Sequence, residues 1–353
     1  VRDIDVSGKR VFVRVDFNVP IDENTGVIMD DSRIQASLPT IQYLINHHAK
    51  IILCSHLGRP KGKPEEKFSL KQVVPRVAGM LGRKVGFTAD CVGDETEYAI
   101  SKMKNGEVIL LENVRFHPEE EKGDPAFARA LARLADIYVD DAFGTAHRNH
   151  VSIVGITQHL PAVAGLLLEK ELTTLGELLR NPPHPFGILL GGAKVSDKVS
   201  LMENIIDKVD VLLVGGGMAA TFLKARGYEI GQSLFEEDRL ETAMNLTKKV
   251  TGNGVRLLLP LDAVVTNEVS KQGAYQIVPI EKIPMDRKIV DIGPKTIEKF
   301  GVELWKCQTV FWNGPMGVYE VPQFARGTEA MAKLLANLEA STIIGGGSTA
   351  EIV

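Results

Sequence analysis

Short runs of apolar residues alternate along the chain with longer stretches in which apolar positions recur every three or four residues. The short runs are typical of buried strands and the longer stretches of amphipathic helices, so their order predicts strand–helix units around parallel sheets. Predicted strands in the first half are RVFVRVDF, AKIILCSH, EVILLENVRF and ADIYVDDAF, and the helices between them include SLPTIQYLINHH and DPAFARALARLA. The pattern indicates the α/β class.

Two domains are expected because the chain has 353 residues, whereas one domain usually contains ~100 to 200. Residues 160–185 predict one long helix that ends at Asn181 and a proline cluster, since proline cannot continue a helix. We interpret this helix as the hinge between two Rossmann-like domains, each with a parallel sheet flanked by helices. The predicted boundaries are 1–160 for the N-terminal domain, 161–181 for the interdomain helix and 182–353 for the C-terminal domain.

The composition excludes several functional classes. Hydrophobic residues make up 44% and charged residues 24% of the chain, and the net charge of -4 argues against a general nucleic-acid binder. Cys54, Cys91 and Cys307 are scattered, without the spacing of a disulfide framework or a zinc site. The sequence shows neither a signal peptide nor an apolar run of the ~18 residues that a membrane span needs. We expect a cytoplasmic monomer that binds small molecules, with no nucleic-acid or membrane partner.

Basic residues gather where the predicted strands of the first half end. Ligands of open parallel sheets lie at this carboxyl edge, because loops and helix N-termini converge there. The polar residues expected at the edge are Asp16, Asn18, Arg33, His56, Arg59, Arg115, His147 and Arg148. The basic residues among them would repel one another unless a multiply charged anion lay between them. Arginine suits such an anion, because its guanidinium group binds phosphate and carboxylate oxygens in pairs. The alternative is that each arginine pairs with an acid such as Glu112, Asp140 or Asp141 and ties loops together.

Glycines follow the predicted strands of the second half. In LLGGAKVSDK, Gly191 and Gly192 lie between a strand and a helix, where bare amides and the positive helix end can receive phosphate. Lys194 and Lys198 are four residues apart, which predicts that both lie on one face of that helix's first turn. VGGGMA and IIGGGSTA repeat the strand–glycine–helix order, whereas Walker A and GxGxxG sequences are absent. A nucleotide site is favoured, although close packing of strand against helix would also select glycine.

Ten motifs, in one order along the chain, resemble those of the phosphoglycerate kinase family from end to end. They are RVDFNVP, DDSRI, SHLGRPKG, LLENVRF, DAFGTAHR, GGAKVSDK, GGGMA, DIGPKT, WNGPMGVYE and IIGGG. The resemblance implies a glycolytic kinase reaction, in which ATP and the carboxylate of 3-phosphoglycerate give ADP and 1,3-bisphosphoglycerate, with Mg2+ on the nucleotide and hinge-bending domain closure. A carboxylate acceptor with a reference pKa of ~4 is already ionised at pH 7, so no general base is expected.

The resemblance also implies site residues, motif by motif. The phosphoglycerate site would comprise Asp16, Asn18, Arg33, His56, Arg59, Arg115 and Arg148. The nucleotide site would comprise Gly192, Lys198, Gly215, Gly216, Asn313, Pro315, Glu320, Gly345, Gly346, Gly347 and Ser348. The catalytic groups around the phosphoryl group in transfer would be Arg33, Lys194, Lys198 and Gly347.

Two features depart from the family pattern. Ser348 stands where the family has an aspartate that helps to hold the metal, so coordination is expected to rely on phosphates and water, with Glu351 as a weaker substitute. The residues end at Val353, one turn into a predicted helix, so we expect the C-terminal domain to lack the family's further glycine-rich loop and tail. A catalytically weak protein that binds phosphoglycerate or nucleotide is therefore an alternative. A dehydrogenase is disfavoured, since the dinucleotide fingerprint is missing.

Overall fold

The structure, a computed structural model, describes residues 1–22, 25–346 and 349. The chain divides into two compact units, Val1–Gly176 and Glu177–Val353. The strands of the first unit are β1 Arg10–Arg14, β2 Lys50–Cys54, β3 Val85–Phe87, β4 Val108–Leu110, β5 Ile137–Asp140 and β6 Ala162–Ala164. Its helices are α1 Ser32–Asn46, α2 Val74–Leu81, α3 Asp94–Ser101, α4 Glu119–Lys122, α5 Pro125–Ala132 and α6 Leu166–Arg180, the last of which contains the division between the units.

A single six-stranded sheet forms the centre of the first unit. Its strands lie in the order β3-β4-β2-β1-β5-β6, and every neighbouring pair is parallel. Successive side chains of a strand point to opposite faces. Val11 and Val13 of β1 accordingly pack into one buried cluster, whereas Phe12 packs into another. The sheet therefore has a hydrophobic core on each face, which explains why its strands are apolar runs rather than alternating ones.

The helix at the end of the first unit is shorter than the sequence predicted. Residues 162–164 pair with β5 as strand β6 instead of joining the helix. Asp141 fixes the start of α6, because its Oδ1 accepts hydrogen bonds from the amides of Leu167 at 2.9 Å and Leu168 at 3.3 Å. Burial raises the pKa of Asp141 to about 6. A buried strand-end acid thus determines where the helix begins, a contact that periodicity along the chain does not reveal.

The second unit contains two sheets. Its strands are β7 Phe186–Leu190, β8 Val211–Val214, β9 Arg256–Leu258, β10 Asp262–Thr266, β11 Tyr275–Pro279, β12 Lys288–Ile292, β13 Thr309–Asn313 and β14 Ser341–Gly345. Its helices are α7 Val199–Ile205, α8 Met218–Ala225, α9 Leu240–Gly252, α10 Pro294–Leu304 and α11 Arg326–Ala336. The larger sheet is parallel, in the order β14-β13-β7-β8-β9, and the smaller one is antiparallel, in the order β11-β10-β12.

The predicted fold class is confirmed, since both large sheets are parallel and are accompanied by helices. The antiparallel sheet is an addition to the predicted strand–helix repeat. Within the described residues, no helix has the length and apolar character that crossing a bilayer requires.

Asp291 is a buried acid at the junction of β12 and α11. The residue is 1% exposed, its Oδ2 accepts a hydrogen bond from the Gly327 amide at 2.7 Å, and its Oδ1 accepts one from the Ile292 amide at 2.8 Å. Burial raises the pKa of Asp291 to about 7, whereas an aspartate in an unfolded chain has a pKa of ~3.9. The folded protein therefore holds a proton that the unfolded chain releases, so this carboxyl makes stability fall as the pH rises from roughly 4 to 7.

We expect Asp291→Asn, which cannot ionise, to reduce the loss of Tm between pH 5 and pH 8 relative to the wild type. The amide has one acceptor oxygen instead of two, so the variant's Tm is lower at pH 5 and the pH slope is the informative quantity. Calorimetry across this range measures it, with the exposed Asp286→Asn as the control. Parallel pH curves for wild type and Asp291→Asn would contradict the assignment.

Candidate active site

The carboxyl edge of the first unit's sheet gathers polar residues from four neighbouring strands. Asp16 and Asn18 follow β1, and His56 follows β2. Arg115 belongs to the 3-10 turn Val114–Phe116 after β4, and Arg148 comes after the loop that follows β5. Parallel strands place their carboxyl ends at one edge, so residues far apart in sequence meet there.

Hydrogen bonds between the loops hold this edge in shape. Arg33, in the first turn of α1, donates to Asp16 Oδ2 at 2.5 Å. Asn18 Oδ1 accepts from the Gly58 amide at 2.8 Å, and Arg115 Nη1 donates to the Gly58 carbonyl at 2.9 Å. The loops after β1, β2 and β4 are thus bonded to one another.

Four arginines surround His56 at this edge. Burial lowers the pKa of His56 well below its usual value, and the nearby Arg14, Arg115, Arg148 and Arg33 lower it further. Arg148 Nε is buried without a hydrogen-bond partner among the described residues. Imidazole at this position is therefore neutral, and the site has donor capacity that an anion of two or more charges would satisfy.

The acids that the sequence offered as alternative partners for the arginines are used elsewhere. Glu112 accepts hydrogen bonds from Ser69 Oγ at 2.6 Å and the Leu70 amide at 2.8 Å. Asp140 accepts from the Ala142 amide at 3.0 Å, and Asp141 lies at the start of α6. The acids that do approach the arginines are Asp16, beside Arg33, and Glu121, whose Oε1 lies 3.3 Å from Arg115 Nε.

Sequence reasoning missed Arg14, a buried cation of β1. Arg14 is 1% exposed, its Nη2 lies 3.2 Å from His56 Nδ1, and its Nε donates to Ser152 Oγ at 2.9 Å. Ser152 Oγ in turn donates to Glu120 Oε1 at 2.6 Å. Since guanidinium can only donate, His56 Nδ1 accepts and its proton lies on Nε2. A charged residue in the otherwise apolar run VFVRV was the signal that could have revealed it.

Two of the basic residues predicted for this site lie at its margin. Arg59 lies exposed beyond Gly58, and no hydrogen bond or ion pair links its side chain to another described residue. His147 is exposed as well, next to the partly buried Arg148. The structure therefore brings Asp16, Asn18, Arg33, His56, Arg115 and Arg148 together and leaves Arg59 available on the adjoining loop.

The second unit's parallel sheet presents glycine loops at its own carboxyl edge. The Gly191 amide donates to the Asn313 carbonyl at 3.0 Å, the Gly192 amide donates to the Pro315 carbonyl at 2.8 Å, and the Gly216 amide donates to the Met316 carbonyl at 3.1 Å. At Gly216, with φ +63°, a Cβ atom would lie 2.7 Å from the Gly192 nitrogen. Glycine is needed at position 216 because the two backbones approach closely. The expectation that the amides of Gly191 and Gly192 stay free for phosphate is wrong, since both donate to backbone carbonyls.

The predicted arrangement of the two lysines is also wrong. Residues 191–198 form a loop and α7 begins at Val199, so Lys194 and Lys198 do not share a helical turn. Glu236 anchors this loop, because its carboxylate accepts the amides of Val195 at 2.6 Å and Ser196 at 3.1 Å. Glu236 lies about 40 residues further along the chain, so the local sequence around Lys194 did not indicate this contact. Lys194 is exposed, without a bonded partner among the described residues.

Lys198 is held beside the strand-end residue Asn313. Its ammonium group donates to Asn313 Oδ1, and burial lowers the pKa of Lys198. Gly345 at the end of β14 permits this packing, since a Cβ there would lie 3.0 Å from Asn313 Nδ2. Thr349 Oγ1 accepts a hydrogen bond from the Gly314 amide at 2.8 Å. The loops after β7, β13 and β14 thus converge on a half-buried cation.

The remaining predicted nucleotide residues occupy different settings. Gly215 follows β8, Pro315 follows β13 and Gly346 follows β14 at the same edge. Glu320 lies exposed on a turn, with no bonded partner among the described residues. Gly347, Ser348 and Glu351 lie outside the described residues, so the predictions about them stay predictions.

Known proteins resemble this chain over its whole length. The model of the phosphoglycerate kinase family matches residues 1–353. A phosphoglycerate kinase of Pelotomaculum thermopropionicum is 52% identical over 350 residues, covering 99% of this chain and 88% of the relative. One of Moorella thermoacetica is 51% identical over 353 residues, covering 100% and 89%. The solved structure of phosphoglycerate kinase from Coxiella burnetii has a TM-score of 0.85 and 39% identity, covering 100% of this chain and 89% of that one.

We expect His56 to remain neutral, with its proton on Nε2, from pH 5 to pH 8, because burial and the surrounding arginines oppose a further charge. By contrast, the hydrogen bond to Asp90 raises the pKa of His117, which should titrate within or above this range. Nitrogen-15 NMR of labelled histidines distinguishes the two, with His56→Gln to assign the signal. Titration of His56 near pH 6.5 would disagree with the arrangement described above.

Proposed function

The chain belongs to the phosphoglycerate kinase family, and we propose that its two sheet edges divide the two substrates of this enzyme between them. The enzyme transfers a phosphoryl group reversibly between ATP and the carboxylate of 3-phosphoglycerate, a step of glycolysis. The observation that supports the division is chemical. The first edge presents several guanidinium groups around a neutral His56, among them Arg148 with an unpartnered Nε among the described residues, and the second presents Lys198 among tightly packed glycine loops.

The first edge suits 3-phosphoglycerate. Guanidinium forks such as those of Arg115 and Arg148 bind phosphate or carboxylate oxygens two at a time, and Arg59 can add a further pair from the adjoining loop. His56 Nε2 offers one more donor, while Asp16 and Asn18 fix Arg33 and the loop at Gly58. The acceptor carboxylate needs no general base, because it is ionised at neutral pH. This site's contribution is to orient the acceptor and to offset its charge.

The second edge suits the nucleotide. Lys198 supplies a half-buried positive charge for phosphate oxygens, and Lys194 is free to swing toward the same group. Gly215 and Gly216 border the region proposed for adenine, and Asn313, Pro315, Gly345 and Gly346 border the phosphates. Arg33 and Lys194, with Lys198 and Gly347, would offset charge on the phosphoryl oxygens in a loose transition state.

Mg2+ accompanies the nucleotide in this proposal. The side chains that form hydrogen bonds at the second edge carry ammonium, amide and hydroxyl groups, which fit phosphate oxygens better than a hard cation, and the carboxylate of Asp197 beside Lys198 is exposed. Of the residues predicted near the metal, Ser348 and Glu351 lie outside the described residues. We therefore propose that Mg2+ arrives on the phosphates with much of its water shell retained, where it offsets phosphate charge.

Because acceptor and donor belong to different units, we propose hinge bending at α6 as the step that brings them together. Closure would also exclude water, which would otherwise accept the phosphoryl group. A protein that binds these ligands without turnover is not favoured, because relatives above 50% identity over the full chain are phosphoglycerate kinases.

Arg33→Ala is expected to lower kcat by about 100-fold or more, in the range seen when one charge-stabilising donor is lost, while the Kd of ATP changes less than about twofold. The reason is that Arg33 faces the transferred group from the unit that binds the acceptor. A coupled assay and ATP titration measure the two effects, and Arg129→Ala, exposed on α5, is the matched control. Equal losses in turnover and in ATP affinity would refute this role.

Lys198→Ala is expected to weaken nucleotide binding by about 10- to 100-fold, as for the loss of one charge-assisted hydrogen bond of about 1.5 to 3 kcal/mol. Binding of 3-phosphoglycerate should be unchanged, because that ligand is assigned to the other unit. Separate calorimetric titrations of the two ligands test this, with the exposed Lys248→Ala of α9 as the control. A variant that loses phosphoglycerate binding instead would exclude the division proposed here.

A further inference from the structure

A second group of ligating side chains lies at the sheet edge of the first unit, beyond β3 and β4. Asp90 and Cys91 follow β3, and His117 follows the 3-10 turn after β4. One ligand atom from each residue, a carboxylate oxygen, Sγ and a ring nitrogen, lies within 4.8 Å of the other two. Among the described residues, no other group of three or more such side chains meets this criterion.

The three side chains are held in place by their surroundings. Asp90 Oδ1 accepts the Cys91 amide at 2.6 Å and lies 2.7 Å from His117 Nε2. The His117 ring stacks on Phe127 with the ring centroids 4.9 Å apart. The hydroxyls of Thr88 and Thr96 donate to the Asp90 carbonyl at 2.8 and 2.9 Å. Such supporting contacts orient ligands before a metal arrives, as outer contacts do in metal sites.

We propose that Asp90, Cys91 and His117 bind one thiophilic divalent cation of the zinc class, with water as the fourth ligand. A sulfur, nitrogen and oxygen donor set suits Zn2+ or Cd2+, whereas Mg2+ and Ca2+ prefer oxygen ligands alone. Zn–S bonds of about 2.3 Å and Zn–N bonds of about 2.0 Å place tetrahedral ligand atoms roughly 3.5 Å apart. Side chains within 4.8 Å of one another therefore need to close by little more than about 1 Å.

Charge balance supports the site. Cys91 is 1% exposed, so an unpaired thiolate charge there would be costly. A divalent cation bound by one thiolate and one carboxylate forms a neutral complex, which removes that penalty. The competing description is a neutral thiol beside an Asp90–His117 ion pair. Because a metal must displace the thiol proton and take His117 in its neutral form, affinity should rise with pH.

Titration of the reduced full-length chain with Cd2+, in the absence of nucleotide and phosphoglycerate, tests the proposal. Thiolate-to-cadmium charge transfer in the ultraviolet reports the sulfur ligand directly, and Zn2+ competition against a chromophoric chelator gives stoichiometry and affinity. We expect one Cd2+ per chain with charge-transfer absorbance, and an affinity that Cys91→Ser and His117→Gln each reduce about 100-fold or more, since losing even an outer contact costs about 10- to 100-fold. Cys307→Ser and Cys54→Ser, at buried thiols outside the group, are the matched controls.

Each other outcome overturns the proposal. Charge transfer that persists in Cys91→Ser, or that disappears in Cys54→Ser or Cys307→Ser, would place the metal on another thiol. If the wild type does not bind Cd2+ or Zn2+ at 100-fold molar excess, the proposal is wrong and the three side chains form only a neutral thiol beside an Asp90–His117 ion pair. His117→Gln keeps a polar group beside Asp90 and leaves the buried thiol untouched, so it provides the test if Cys91→Ser does not fold. The kinase assignment is unaffected by any of these results, because none of the three residues belongs to the proposed substrate sites.

Discussion

Repulsion among guanidinium groups is the constraint on which the first unit's edge depends. A parallel sheet brings the ends of β1, β2, β4 and β5 together, and with them the charges of Arg14, Arg115 and Arg148. Glu120 and Glu121 approach Arg14 and Arg115, whereas Arg148 Nε has no partner among the described residues. In the proposed site, an anion would accept from this unused donor. The proposed ligand, 3-phosphoglycerate, carries a phosphate and a carboxylate, and guanidinium groups bind both.

The second unit approaches phosphate chemistry differently. Its glycines first serve the backbone: the amides of Gly191, Gly192 and Gly216 bond to neighbouring loops, so the loops after β7, β8 and β13 form one connected layer. Because these amides are already bonded, the proposed nucleotide site depends on charged side chains and on other loop residues. Lys198 is the best placed, since its contact with Asn313 holds the ammonium group at the sheet edge. Two units with the same strand–helix construction thus present different chemistry.

The sequence predicted the parts of the site that follow from strand order. His56 and Arg115 come within a few residues of the ends of apolar runs, and parallel strands place such positions at one edge, so their meeting could be predicted. The contacts that were not predicted join residues far apart in the sequence, and hydrophobic periodicity does not indicate them. Glu236 bonds to the loop at Val195, and Asp141 bonds to the start of α6. The helix predicted at Lys194 begins only at Val199, and the contact that anchors the loop before it comes from the distant Glu236. The antiparallel sheet β11-β10-β12 was likewise not evident from the strand–helix pattern.

Arg14 and Glu120 are charged residues buried in the core, and burying charge lowers the stability of the fold. Arg14 and Glu120 are 1% and 0% exposed, and burial raises the pKa of Glu120. Removing such charges from water usually costs more than their attraction returns, so stability alone would favour apolar residues at both positions. An apolar residue at position 14 would leave His56 Nδ1 without a donor and free its ring to exchange tautomers. The hydrogen bonds from Glu120 through Ser152 to Arg14 instead hold His56 with its proton on Nε2, which in the proposed site would donate to the anion.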